Sequence, residues 1–279
     1  MFQIPIFILI FLTGLIVGSF LNSIIYRLST GAPHQLLFKS GGGLSRSFCP
    51  DCRHTLSWQD LIPLLSFLIL KGKCRYCHQP ISSQYPLVEL ATGTLFALVF
   101  NYLSTLPGFV NLILLLVITC FLIIIFVYDL KHYIIPDKII YPAIATAFLY
   151  QLFRILEFGN WNLFGIWNLE FGILRPILSA VLASGFFLII VLISQGKWMG
   201  AGDIKLAFLM GLFLSFPKIL VALFLAFFIG AIIGVGLVVS RKKTLKSEVP
   251  FGPFLVTGTF IALFWGENII NWYLNFFNV

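Results

Sequence analysis

Apolar runs long enough to cross a bilayer recur along the chain, each ended by a short polar or proline-containing stretch. They fall at about Ile4–Tyr26, Leu87–Leu103, Leu112–Tyr128, Ile139–Ile155, Ile173–Ser194, Ile204–Phe216, Ile219–Ser240 and Phe254–Trp272, and predict eight helices, the one opening at Ile204 being short. A single sizeable polar segment, roughly Leu28 to Gln84, breaks the pattern between the first two runs. The predicted architecture is an all-α polytopic membrane protein in three parts: a first transmembrane helix at 1–27, an insert at 28–85 and a helical bundle at 86–279.

Composition strengthens this reading. With 59% hydrophobic and 10% charged residues among 279, too little polar surface exists to cover a soluble globule. The first run has no Lys or Arg before it and Arg27 directly after it, the reverse of a cleavable signal peptide, so a retained span with its N-terminus outside is expected. That orientation puts 15 of the 18 basic residues on the inner side, leaving Arg154, Arg175 and Lys218 outside. The net charge of +8 is thus explained by topology, and no nucleic-acid partner is expected.

The insert contains Cys49-Pro50-Asp51-Cys52 and Cys74-Arg75-Tyr76-Cys77, two C-x-x-C knuckles separated by 21 residues. Each knuckle can grip one edge of a tetrahedral ion, so the four thiolates predict a structural zinc site with no open position for catalysis. Stable disulfides are disfavoured by the expected cytoplasmic location, and no thioredoxin-like pattern surrounds either pair. His54 and His78 stand beside the knuckles as alternative ligands or as surface residues, while Cys120 lies alone in an apolar run as a small hydrophobe. Phe38 to Arg46, with Gly41-Gly42-Gly43, is expected to be a loop; no Gly-Lys-Ser/Thr follows, which excludes nucleotide hydrolysis.

Two acids mark a candidate active site. Asp129, in Phe126-Val127-Tyr128-Asp129-Leu130-Lys131, ends an inward-running span, and Asp203, in Gly200-Ala201-Gly202-Asp203-Ile204-Lys205, opens an outward-running one. Both therefore arrive at the cytoplasmic boundary, where charged groups are costly and acids signal function. Two neighbouring carboxylates that share a proton can activate water and polarise a carbonyl, which is hydrolysis without a nucleophilic side chain or a metal. Gly200 and Gly202 allow close backbone approach, although a turn opening the next span needs the same residues. Asp137, after Ile135-Pro136, competes with Asp129 but reads first as a helix start. Lys131, Lys138, Lys197 and Lys205 suit anchoring among headgroups, or biasing an aspartate toward its charged form. Gly14 and Gly18 predict close helix packing, with Ser19 and Asn22 following; Asn22 and the near-terminal Glu89 of the second span are polar residues at membrane depth, candidates for a site.

Taken in order, Gly18-Ser19-Phe20-Leu21-Asn22 with Ile25-Tyr26-Arg27, both knuckles, Asp60-Leu61-Ile62-Pro63, Tyr85-Pro86-Leu87-Val88-Glu89-Leu90, Asp129 with Ile135-Pro136-Asp137, the Gly200–Lys205 segment and Pro250-Phe251-Gly252-Pro253 resemble the type IV prepilin peptidases over nearly the whole length. The resemblance implies that Asp129 and Asp203 form the catalytic pair of a membrane aspartyl protease. Such an enzyme cuts a short basic leader from prepilin or pseudopilin precursors, after a glycine, at the cytoplasmic face of the inner membrane. It also implies that the cysteine-bearing insert accompanies N-methylation of the new terminus with S-adenosylmethionine, for which Glu89 is the candidate cofactor contact. Gly200, Gly202, Lys205, Asn22 and Asp137 are then supporting residues. No glycine-rich strand–turn–helix pattern is visible, so the cofactor rests on the resemblance alone. A cation transporter would call for deeper acids and broken-helix repeats, and a non-enzymatic assembly scaffold would need neither aspartate.

Overall fold

The computed structural model describes residues 3–30, 47–103, 108–158, 165–240 and 249–276. Each of the eight predicted runs is a helix: α1 (Gln3–Ser29), α3 (Gln84–Leu103), α4 (Phe109–His132), α5 (Asp137–Phe158), α6 (Gly165–Ser194), α7 (Ala201–Leu214), α8 (Lys218–Val239) and α9 (Gly252–Phe276). The insert adds a 3₁₀ turn at Trp58–Leu61 and the short α2 (Leu65–Ile69). Among the described residues no strand forms; isolated bridges pair Phe48 with Thr55 and Lys73 with Pro80, one in each cysteine knuckle. The expected loop from Phe38 to Arg46 and the basic cluster Arg241, Lys242, Lys243 and Lys246 lie outside the described residues.

Among the described residues six helices, α1, α3, α4, α6, α8 and α9, are long and apolar enough to cross a membrane. The other two of the eight differ for physical reasons. α7 has 14 residues, roughly 21 Å at 1.5 Å per residue, short of the hydrocarbon thickness. α5 dilutes its apolar positions with Lys138, Gln151 and Arg154 and has Pro142 within it.

Two compact units form, Met1–Thr105 and Leu106–Val279. In the first, α1 and α3 pack backbone to backbone because the contact is made of glycines. A β-carbon on Gly14 would stand 2.7 Å from Gly93 Cα, and one on Gly18 2.7 Å from Glu89 Cα. Small-residue faces of this kind are how helices associate where lipid removes any hydrophobic gain from pairing.

In the second unit α7 is the core. Leu206, Ala207, Leu209, Met210, Leu212, Phe213 and Leu214 are all buried, as befits a helix apolar on every side. Gly211 lets it close on α6, since a β-carbon there would lie 2.5 Å from Ser179 O. Its last carbonyls, which no helical N–H can reach, are satisfied by Gln151 of α5: Nε2 donates to Leu212 O at 2.7 Å and to Phe213 O at 2.8 Å. The Phe216 N–H then donates to Ser179 Oγ at 2.9 Å, fixing the exit of the chain from α7.

Candidate active site and metal centre

Asp129 occupies the last turn of α4 and Asp203 the first turn of α7, and both are buried, at 5% and 9% exposure. Local chemistry brings them together. α4 ends where Tyr133 turns left-handed (φ 57°) and its N–H donates back to Asp129 O at 2.9 Å. The chain then runs through the buried Ile135, which packs on Gly202; a β-carbon on Gly202 would stand 3.0 Å from Ile135 Cβ. The start of α7 is thereby seated on the segment that follows α4, and the two carboxylates interact electrostatically.

Each acid is held by a backbone donor. Gly200 N–H donates to Asp203 Oδ2 at 3.2 Å, in the manner of a helix N-terminal cap. Gly252 N–H donates to Asp129 Oδ2 at 3.0 Å. A β-carbon on Gly252 would meet that same oxygen at 2.5 Å, so α9 reaches the acid only because position 252 has no side chain. In the sequence Pro250-Phe251-Gly252-Pro253 stands out only as part of the family resemblance; its donor role depends on the packing of α9 against α4, which no local signal encodes.

Asp137 is different in kind. Its side chain is 60% exposed and pairs with Lys205 Nζ at 2.5 Å, while the ammonium also lies 5.2 Å from the Tyr141 ring centroid. Lys205 thus links α7 to α5, and its carboxylate contact is Asp137.

In the first unit the four knuckle cysteines converge. The Sγ atoms of Cys49, Cys52, Cys74 and Cys77 all lie within 4.8 Å of one another, and Cys49 and Cys77 are 3.9 Å apart. Four sulfurs about 2.3 Å from a tetrahedral ion would be roughly 3.8 Å apart, so the cluster could hold a metal ion. Burial pushes the Cys74 thiol up, but the N–H groups of Cys77 and Tyr76 outweigh it and bring it down to about 7. At Cys77 the Gln79 N–H pulls the same way, but burial and the neighbouring sulfurs prevail and push it up to about 12. A cation among the sulfurs would relieve that conflict.

The insert is braced by Asp60. It accepts from Ser57 N–H at 3.1 Å, Ser57 Oγ at 2.8 Å and Tyr76 OH at 3.2 Å, and pairs with Arg75 Nε at 2.7 Å. Burial raises this carboxyl, yet the donors and Arg75 hold it below the usual carboxylate range. His54 lies against the Tyr76 ring at 3.7 Å between centroids, beside the sulfurs and not among them.

Glu89 and Asn22 are buried side by side with the insert. Glu89 Oε2 accepts from Leu64 N–H at 2.8 Å, and its carboxylate also bonds the Ser19 hydroxyl. Asn22 Nδ2 donates to Tyr85 O at 3.1 Å and its Oδ1 accepts from Gln84 Nε2 at 3.2 Å. These side chains tie α1, α3 and the insert together.

Residues 12–103 match the family profile for the bacterial peptidase A24 N-terminal domain, and residues 116–235 that of the type IV leader peptidase family. Proteins called prepilin leader peptidase/N-methyltransferase are similar over nearly their full length. That of Aeromonas hydrophila is 33% identical, covering 97% of this chain and 94% of the relative. The Legionella pneumophila protein is 33% identical (97% and 95%) and that of Bacillus subtilis strain 168 is 32% identical (95% and 97%). No solved structure matches.

Proposed function

From the membership of this chain in the type IV leader peptidase family, we propose that it removes the short basic leader of prepilins or prepilin-like precursors, cutting after a glycine, and N-methylates the terminus so exposed. The observation that carries the peptidase half is the buried Asp129–Asp203 pair, each acid tethered by a glycine N–H.

The chemistry follows from that tethering. Each acid commits its Oδ2 to a backbone donor, and Oδ1 is the atom assigned to the reaction. One carboxylate is ionised and takes a proton from water; the other is protonated and donates to the scissile carbonyl oxygen. The water oxygen bonds to the carbonyl carbon to give a gem-diol; as the C–N bond breaks, the acid that took the proton passes it to the leaving nitrogen, and a gem-diol hydroxyl returns a proton to the acid that donated one, so the pair again holds a single proton. Rigid placement matters because a dyad gains its rate from geometry set before the substrate arrives. Gly202 serves by seating α7 on Ile135, Gly200 by its N–H to Asp203, and the Asp137–Lys205 pair by tying α7 to α5. A transporter or a scaffold would not call for this pair, and the family gives neither support.

We assign the peptidase to the helical bundle and the methylation-associated role to the insert with α1 and α3. The metal is assigned as zinc on Cys49, Cys52, Cys74 and Cys77, holding a lobe too small to supply its own core. S-adenosylmethionine would supply the methyl group. Glu89 is the proposed contact, a buried carboxylate at membrane depth suited to a cationic methyl donor, with Asn22 beside it. The expected setting is the cytoplasmic membrane, N-terminus outside and both aspartates at the inner face.

The test is incubation of the protein in bilayers with a prepilin-like precursor and S-adenosylmethionine, followed by mass analysis of the product. Loss of the leader after its glycine, with the product heavier by one methyl group, is expected. An intact precursor would overturn the peptidase, and a cut but unmethylated product the transferase.

A further inference from the structure

The insert leaves one apolar surface uncovered. In the 3₁₀ turn, Trp58 and Leu61 are three residues apart and so project on the same side; in α2, Leu65, Leu68 and Ile69 occupy i, i+3 and i+4, one face of a helical turn. All five are exposed, Trp58 at 73%, Leu68 at 69% and Ile69 at 67%. Phe67, on the other side of α2, packs instead against Gly72, where a β-carbon would stand 3.1 Å from its ring. Exposed apolar side chains on two adjoining turns of a small lobe mark a surface made to be covered.

The depth of the patch is fixed by Glu89. Its carboxylate holds the N–H of Leu64, immediately before α2, and keeps that leucine at φ 59°, a conformation leucine rarely adopts. Glu89 lies five residues into α3, a membrane-spanning helix that begins at Gln84, so Leu64 meets it about 7.5 Å along the helix from its polar end. α2 is therefore tied to the wall of a span, below its first turn, and cannot stand clear of the bilayer. Directly after α2 come the exposed Lys71 and Lys73, with Arg75 beyond.

We propose that Trp58–Ile69 is a monotopic segment lying in the inner-leaflet interface, with Leu61, Leu65, Leu68 and Ile69 among the acyl chains, Trp58 at the headgroup boundary, and Lys71 and Lys73 on anionic phospholipid headgroups. An indole at the headgroup level, short apolar helix faces and flanking lysines are the chemistry of interfacial anchoring. The zinc lobe is then pinned to the membrane by three points: α1, α3 and this segment. This inference does not depend on the peptidase reading.

The full chain, with p-benzoylphenylalanine at Leu68 in one variant and at Trp58 in a second, reconstituted in bilayers of phosphatidylethanolamine and phosphatidylglycerol, supplies the test. Both positions are exposed, and retention of metal by each variant reports that the lobe is folded. Illumination should give phospholipid adducts at both positions, and Lys71→Glu with Lys73→Glu should lower the phosphatidylglycerol share of the adducts severalfold. Crosslinks to protein, whether within the chain, to a second copy or to an added precursor, would overturn the proposal, as would folded variants that give no lipid adduct at either position.

Discussion

Gly252→Ala perturbs the candidate active site through a single methyl group. The added β-carbon would stand 2.5 Å from Asp129 Oδ2, whereas ordinary van der Waals contact begins at 3.4 Å, so acid and α9 must separate by about 0.9 Å. The obstacle is the carboxylate itself, and moving it also stretches the 3.0 Å hydrogen bond from the Gly252 N–H. Misplacing a reacting group by about 1 Å costs on the order of 10²-fold in rate, about 2.7 kcal/mol of transition-state stabilisation. Gly200→Ala is the matched control: its β-carbon would meet nothing nearer than 3.9 Å, and residue 200 has extended backbone (φ −82°, ψ 157°) that alanine adopts freely. The assay is kcat/KM for precursor cleavage in bilayers, with thermal unfolding measured alongside. We expect about a 10²-fold loss for Gly252→Ala with the fold retained, and a change within about threefold for Gly200→Ala, whose donor N–H survives. Equal activity of the two variants would refute the reasoning.

The other expectations concern the supports of the site. Asp137→Asn should keep most cleavage activity, because an exposed ion pair is worth at most about 1 kcal/mol and high salt should mimic the change. Gln151→Leu leaves the carbonyls of Leu212 and Phe213 without their donor and should destabilise the bundle by about 1–3 kcal/mol, read as a lowered unfolding midpoint. Gly211→Val puts a β-carbon 2.5 Å from Ser179 O and 2.6 Å from Ala180 Cα, with two methyl groups beyond it, and should cost more than about 3 kcal/mol or prevent accumulation of folded protein. Metal analysis should find one ion per chain in the wild type and none in Cys74→Ser, with amide exchange rising across residues 47–81 once the ion is lost.

What the sequence revealed, and what it concealed, follows from the range of each interaction. The helices were legible because apolar runs are a local signal, and the four-cysteine cluster because each knuckle is four residues long. The two aspartates were expected as a pair from the alternation of helix directions and from the family resemblance. Their donors were half visible: Gly200 is three residues from Asp203, whereas Gly252 is 123 residues from Asp129 and meets it only by helix packing. The distinct character of α7 was hidden for a related reason. Hydropathy cannot tell a helix buried in protein from one bathed in lipid, and α7 is covered by its neighbours along almost its whole length. Glu89 shows the same limit, since a carboxylate at membrane depth announces that it has a partner without naming Leu64.

The central claim is that Asp129 and Asp203 act together on one peptide bond, and substitution of each by Asn tests it most directly. Asp→Asn keeps volume and an acceptor oxygen for the Gly252 and Gly200 N–H groups while removing the titratable group. With a prepilin-like precursor in bilayers, each single variant should be folded, metal-loaded and without measurable cleavage. A folded Asp129→Asn or Asp203→Asn protein that cleaves at the wild-type rate would contradict the account.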